Sequence, residues 1–179
     1  MAWTGSSAEW DEFLGMLTPI VGEKILDVGA GKGTVAAKVL QSSGAEVYAV
    51  DPNEKRVSQM IRNFPALRGS VAGAEKLPFL DSKFDKVYTT MALHHYADID
   101  RGIAEIARVL KKGGTFVILE VEPGSWMGRF FRSLERLMGE HLTLMKEEQL
   151  LAKLSDNRGF EVSKSVKLGS RYLVQLRRV

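Results

Sequence analysis

Lys24-Ile25-Leu26-Asp27-Val28-Gly29-Ala30-Gly31-Lys32-Gly33-Thr34 is the stretch on which the reading of this chain turns. A short apolar run holding a single acid reads as a buried strand. Three glycines at alternate positions then permit a sharp turn and a close backbone approach. Val35, Ala36, Val39 and Leu40 follow at helical spacing and predict a helix over Gly33–Gln41, which Gly44 breaks. Strand, glycine turn and helix in that order make a nucleotide-binding arrangement. Glu46–Val50 predicts a second strand, and Asp51 ends it, 18 residues after Gly33. A carboxylate there can accept both ribose hydroxyls of an adenosine.

Outward from this unit the alternation continues. Ser7–Leu17 predicts an amphipathic helix through Trp10, Phe13, Leu14 and Leu17, ended by Pro19. Asn53 is placed to cap a helix over Asn53–Asn63. A third strand is expected near Leu67–Ala72, a fourth over Phe84–Thr90, and a helix over Asp98–Leu110 with Ile99, Ile103, Ile106, Ala107 and Leu110 on one face. Lys111-Lys112-Gly113-Gly114 should close that helix. Thr115–Val121, nearly all apolar, reads as a central parallel strand. A further helix over Lys146–Leu154 follows. Phe160–Val166 and Arg171–Leu176 then read as an antiparallel hairpin about Gly169-Ser170.

The expected fold is therefore α/β: a Rossmann-like, doubly wound, mostly parallel seven-stranded sheet with an antiparallel C-terminal hairpin, forming one domain over residues 1–179. Residues 1–20 carry its N-terminal helix. Residues 123–145, rich in Trp126, Met127, Phe130, Phe131, Leu134, Leu137 and Met138, are read either as a substrate cap or as core at helical spacing. Trp3, Trp10 and Phe13 are read as core in preference to a lid. In such sheets the ligand sits beyond the carboxyl ends of the strands, so the chemistry should follow Asp27, Val50, Ala72 and Thr90.

Three readings of the glycine turn compete. A phosphate-cradling loop needs Gly-x-x-x-x-Gly-Lys-Ser/Thr, but Gly33 follows Lys32, and Leu26 stands at the first glycine position. A dinucleotide site needs Gly-x-Gly-x-x-Gly; Gly29 and Gly31 fit, and Thr34 at the third position weakens that reading. The pattern Asp/Glu-x-Gly-x-Gly-x-Gly is met in full by Asp27, Gly29, Gly31 and Gly33.

That pattern resembles the first motif of class I S-adenosylmethionine-dependent methyltransferases. Asp27 suits a cofactor that carries an ammonium group and no phosphate. The resemblance runs from about Ile25 to Glu120. Gly73-Ala74-Glu75-Lys76-Leu77-Pro78-Phe79 is similar to the segment after the third strand in the small-molecule branch, which usually reads Asp-Ala-Glu-x-Leu-Pro-Phe. Phe84-Asp85-Lys86-Val87 with Met91-Ala92-Leu93-His94-His95, and Glu105-Ile106-Ala107-Arg108-Val109-Leu110-Lys111-Lys112-Gly113-Gly114, are similar to its fourth strand and to its helix before the fifth. The likeness is to the group that contains quinone-biosynthesis-like methyltransferases.

The resemblance implies S-adenosyl-L-methionine as cofactor. It implies Gly29, Ala30 and Gly31 beside the methionine part, Asp27 orienting the loop or the ammonium, and Asp51 on the ribose. Pro52, Asn53, Ala74 and Glu75 would border the adenine, with Thr90 and Met91 over the sulfonium. Gly73 departs from the branch, which usually has Asp there to meet the adenine amino group; Glu75, the Ala74 backbone or water must replace it. His95, and behind it His94, are the candidate general bases; packing or loop capping is the competing role. His141 is read as structural or on the surface. No metal is implied, since the three histidines lack a ligand spacing.

Composition narrows the acceptor. The chain has no cysteine, which removes disulfides, thiolate metal sites and thiol-dependent methylation of a pyrimidine C5. The fourth-strand loop lacks the Asn/Asp-Pro-Pro-Tyr/Phe of base amino-group methylation. A small-molecule acceptor, methylated on O, N or activated C, is thus the first expectation. Residues 1–123 hold 14 basic and 16 acidic side chains, a net of −2, whereas residues 124–179 hold 11 and 6, a net of +5. The basic third leaves an RNA or protein acceptor as an alternative, against the plainer reading of a solvated charged surface. A non-catalytic module that binds the cofactor is the other. No run nears the ~18 apolar residues that span a bilayer, and the first residues do not resemble a signal peptide; a cytoplasmic protein is expected.

Overall fold

The structure, a computed structural model, describes residues 5–138, 143–155 and 159–179. Seven strands form one sheet in the order β3-β2-β1-β4-β5-β7-β6. They are β1 Lys24–Val28, β2 Glu46–Asp51, β3 Arg68–Val71, β4 Phe84–Thr90, β5 Leu110–Val121, β6 Phe160–Leu168 and β7 Arg171–Arg178. β1 to β5 run parallel, while β7 lies antiparallel between β5 and β6. The chain reverses direction across the sheet between β1 and β4, which opens the crevice where ligands bind in such sheets.

Each helix starts and stops for a local reason. α1, Ser7–Leu17, has a capping box: Ser6 accepts from the Glu9 amide, and Glu9 accepts from the Ser6 amide. Thr18 in the left-handed region ends it, just before Pro19. α2, Thr34–Ser43, is capped by Gly33 and ended by Gly44. α3, Glu54–Asn63, has Asn53 at its cap, accepting from Arg56 N at 3.1 Å. α4, Ile99–Val109, has Asp98 in that role. α5, Trp126–Met138, follows β5, and α6, Glu147–Ser155, precedes β6.

The core lies on both sides of the sheet. Trp10, Phe13, Met16 and Leu17 of α1 pack with Val35 and Val39 of α2 and Met60 of α3 against Tyr88, Val117 and Leu119. On the other face Ile103 and Ile106 of α4 pack with Leu150 and Leu154 of α6 against Phe116, Ile118 and Val174. Alternate residues of β5 therefore serve opposite layers, as a doubly covered strand requires.

Two expectations need correction. Lys111–Gly114 does not close α4: β5 begins at Leu110, opposite Phe84, and the ladder resumes at Lys86 opposite Thr115. The four residues form an irregular bulge, and α4 ends at Leu110, whose amide donates to the Ile106 carbonyl. Phe130 is not core. It is 55% exposed, as is Trp126 at 66%, whereas Phe131 is buried. The side chains of Leu134 and Leu137, with Trp3 and His141, lie outside the described residues.

The amino ends of the strands are pinned by charge. Lys86 pairs with Glu23 at 2.7 Å and donates to the Thr18 carbonyl. Asp85 accepts from the Lys24 amide at 2.9 Å.

Candidate cofactor site

The glycine turn is bound to the end of the neighbouring strand. The amides of Gly29 and Ala30 both donate to the Val50 carbonyl at 2.9 Å. The Gly31 amide donates to Asp51 Oδ2 at 2.9 Å, and the Asn53 amide donates to Asp51 Oδ1 at 2.9 Å. Asp51, 3% exposed, thus holds the turn to β2. A carboxylate has about four acceptor positions, so each oxygen keeps capacity for one further donor.

The three glycines of the turn all have positive φ, +82°, +58° and +77°, but their surroundings differ. A Cβ on Gly29 would stand 2.4 Å from the Ala92 methyl, and one on Gly33 would strike Met60. A Cβ on Gly31 would meet nothing within 4 Å. Gly29 and Gly33 are therefore required by packing. Gly31 alone faces open space, as a cradle for a ligand should.

Asp27, directly below the turn, is fully buried. Neither of its oxygens, nor the Tyr88 hydroxyl beside it, makes a hydrogen bond of normal geometry among the described residues. Its carboxyl is raised to about 8, chiefly by burial, with the nearby Tyr88 hydroxyl opposing the rise and the charge of Asp51 adding to it. Tyr88 is raised as well, first by burial and then by Asp27.

The far side of the crevice comes from the segments after β3 and β4. Ala74 is buried in the α4 layer, while Pro52 and Asn53 are exposed. Glu75 Oε1 accepts from the Asp98 amide at 3.3 Å, and its Oε2 lies 2.9 Å from where a Cβ on Gly73 would stand. Thr90 and Met91 are partly exposed at the end of β4. Met91 has φ +53°, and its amide donates to the Leu119 carbonyl at 2.8 Å. This left-handed turn swings Ala92 back onto Gly29. His94 is buried and His95 exposed.

The methyltransferase-domain family matches residues 26–118 by its sequence pattern. The chain belongs to this family of class I S-adenosylmethionine-dependent methyltransferases. It is 34% identical over 147 residues to an uncharacterized methyltransferase of Synechocystis, covering 79% of this chain and 68% of that one. It is 32% identical over 123 residues to the ubiquinone/menaquinone biosynthesis C-methyltransferase of Rubrivivax gelatinosus, covering 68% of this chain and 49% of that protein. The chain thus spans about half the length of that quinone-biosynthesis relative. The fold matches an S-adenosylmethionine-dependent methyltransferase structure from Mesorhizobium loti with a TM-score of 0.82, 22% identity, and coverage of 97% and 99%.

The methyltransferase family's cofactor carries an ammonium, a ribose and an adenine and no phosphate. The residues present fit it: Gly31 with open space about it, the buried Asp27 carboxyl, which makes no hydrogen bond of normal geometry among the described residues, and the Asp51 carboxylate with spare acceptor capacity. Sequence reasoning gave no role to three other features. Arg108 binds Glu105, Asp81 and the carbonyls of Leu77 and Phe79, while Glu105 accepts from the Leu77 amide at 2.8 Å; together they clamp the segment after Glu75 onto α4. Ala92 fits Gly29. Glu120, at the end of β5, is buried against His94. The first was visible as a helical i, i+3 pair; nothing in the sequence pointed to the other two, because both contacts join distant segments.

No group of three or more metal-ligating side chains converges among the described residues, and no helix there is long and apolar enough to cross a membrane.

Proposed function

We propose that this chain binds S-adenosylmethionine in the Gly29–Gly33 turn and transfers its methyl group to a small-molecule acceptor. The observation that carries the reading is the pairing of an open Gly31 with two buried carboxyls, Asp27 and Asp51. The Asp51 carboxylate would repel an anionic phosphate and can accept from two ribose hydroxyls, and a bound ammonium would draw the Asp27 carboxyl, held up to about 8 by burial, back toward its ionised form. Asp51 accepts from the ribose, Asp27 orients the ammonium end, and Gly29, Ala30 and Gly31 line the methionine part. Pro52, Asn53, the Ala74 backbone and Glu75 border the adenine. Glu75 occupies the volume an acid at position 73 would need, so its carboxylate replaces the missing one. Thr90 and Met91 close the sulfonium end.

The bound cofactor supplies an electrophilic methyl whose sulfur leaves uncharged. The protein's task is therefore to align the acceptor and exclude water. The segment 123–145 serves as the acceptor cap, consistent with exposed Trp126 and Phe130 beside buried Phe131.

The basic C-terminal third gives little support to an RNA acceptor. Lys153 pairs with Asp100, Lys164 with Glu12, Lys167 with Glu147 and Arg171 with Glu9. Four of the eleven basic side chains of that third are thus answered by acids of the same molecule, which lowers the charge an RNA would meet.

Titration calorimetry with S-adenosylmethionine and its demethylated product, followed by a labelled-methyl assay on small-molecule and RNA fractions of a cell extract, tests the reading. Binding with transfer into the small-molecule fraction is expected. Absence of binding by either compound overturns it, and label in RNA alone overturns the acceptor class.

A further inference from the structure

His94 and Glu120 face each other at the carboxyl ends of β4 and β5. Nδ1 of His94 lies 2.6 Å from Oε2 of Glu120. Each residue is 3% exposed. The carboxylate also accepts from the Leu93 amide at 2.8 Å and the Val121 amide at 3.3 Å. An ionised carboxylate only accepts, so Nδ1 carries the proton and donates it. In the neutral ring Nε2 then holds the free lone pair. His95 is exposed, its ring centroid 4.3 Å from that of His94 and tilted 43° to it.

The position of the pair is as informative as its geometry. The turn Leu93–His95 continues directly from Ala92, which packs on Gly29 of the cofactor loop. Phe131 of α5 lies 5.8 Å from the His94 ring, and the Thr143 amide donates to the His94 carbonyl at 3.0 Å. The pair therefore sits between the cofactor turn and the segment proposed as the acceptor cap. A loop staple alone would need only the Leu93 amide on Glu120. An imidazole buried on the same carboxylate is costly, and such pairs concentrate where protons are moved.

We propose that His94, held by Glu120, is the general base of this protein and that its acceptor is a hydroxyl acidic enough to yield its proton to an imidazole, as a phenol is, which must lose that proton as it is methylated. This rests on the function proposed above. The hydroxyl proton passes to Nε2 of His94, and an oxygen lone pair forms the new bond to the methyl carbon. The electron pair of the broken carbon–sulfur bond returns to sulfur, leaving a neutral thioether. The imidazolium is balanced by Glu120 and afterwards releases its proton to water. Glu120 is a positioning residue: it fixes the ring tautomer and orientation.

Burial alone would lower the His94 pKa, but the charge of Glu120 and its hydrogen bond outweigh that and raise it. Among the described residues, the titratable groups around the pair are His95, Tyr96 and Tyr172, and the last two also feel the Glu120 charge. The base form exists above the raised value, so proton abstraction strengthens as pH climbs through it.

Nitrogen-15 NMR of the histidines in the full chain, with and without Glu120→Gln, reads tautomer and titration directly. 4-Nitrophenol, whose phenolate absorbs visible light, then serves as acceptor probe with the demethylated cofactor bound. The expected results are an Nδ1–H tautomer, a His94 titration that moves to lower pH in Glu120→Gln, and a bound probe that ionises about one pH unit lower than in buffer, a tenfold change. That probe shift should vanish in His94→Gln with cofactor binding retained. An Nε2–H tautomer, a titration indifferent to Glu120→Gln, a probe that does not bind, or a probe shift that survives His94→Gln overturns the proposal. Failure of the wild-type chain to bind the cofactor overturns the function itself, which the calorimetry separates.

Discussion

Gly29 and Gly31 stand two residues apart, both at positive φ, yet the structure predicts that alanine will damage them in different ways. In Gly29→Ala the new Cβ would lie 2.4 Å from the Ala92 methyl at φ +82°. The left-handed backbone costs an alanine about 1–2 kcal/mol, and the overlap adds about 1–3 kcal/mol of overpacking. In Gly31→Ala, at φ +58° with nothing within 4 Å, only the first cost applies, about 1–2 kcal/mol. A domain with roughly 5–15 kcal/mol of stability survives the second change easily and the first with difficulty. Urea denaturation followed by tryptophan fluorescence measures both. Calorimetry with S-adenosylmethionine then measures binding, which should fall by at least about tenfold in Gly31→Ala because the methyl enters the cradle. The double variant Gly29→Ala/Ala92→Gly isolates the overlap: it should recover about 1–3 kcal/mol relative to additivity. Equal destabilisation by the two alanines, with no recovery from Ala92→Gly, would refute the assignment of one glycine to packing and the other to the ligand.

Three further outcomes are expected. Asp51→Ala should weaken cofactor binding by about 1.5–3 kcal/mol, the value of hydrogen bonds to a charged group; an affinity within twofold of wild type on calorimetry counts against the ribose role. The folded pKa of Asp27, about 8 against 3.8 for the free side chain, means the folded state holds a proton that the unfolded state loses above pH 4. Stability should therefore fall as pH rises from about 4 to about 8, and Asp27→Asn should flatten that slope and raise Tm at neutral pH; thermal melts across this window showing an unchanged slope would count against it. Glu75→Ala should weaken cofactor binding, and Gly73→Asp in the same chain should restore it, since the Glu75 carboxylate vacates that volume; a double variant no better than Glu75→Ala removes Glu75 from the adenine edge.

The order of strands and helices was legible in the sequence because it depends on local periodicity and local stops. Asn53 and Asp98 cap their helices through neighbours three residues away, and Pro19, Gly33 and Gly44 act on their own backbone. The Asp27-x-Gly-x-Gly-x-Gly turn is likewise contiguous, so both the fold class and the cofactor family could be read from it. The extent of β5 could not: Leu110 joins Phe84 only when the sheet forms, which draws Lys111–Gly114 into the strand as a bulge. Phe130 and Phe131 are adjacent and equally apolar, and only packing decides that one is exposed and the other buried.

The candidate site divides in the same way. Sequence alone named Gly29, Gly31 and Asp51 and offered two adjacent histidines as bases. Tertiary structure distinguished the histidines, because Glu120 lies 26 residues from His94 along the chain and 2.6 Å from it in space. It also separated the glycines, since the atom that forbids a side chain at Gly29 belongs to Ala92 on another strand's loop. Turns and caps are written within a few residues, where one peptide meets the next. Contacts that set a proton's position or exclude a methyl group join strands brought together only by the sheet, and no local pattern records them.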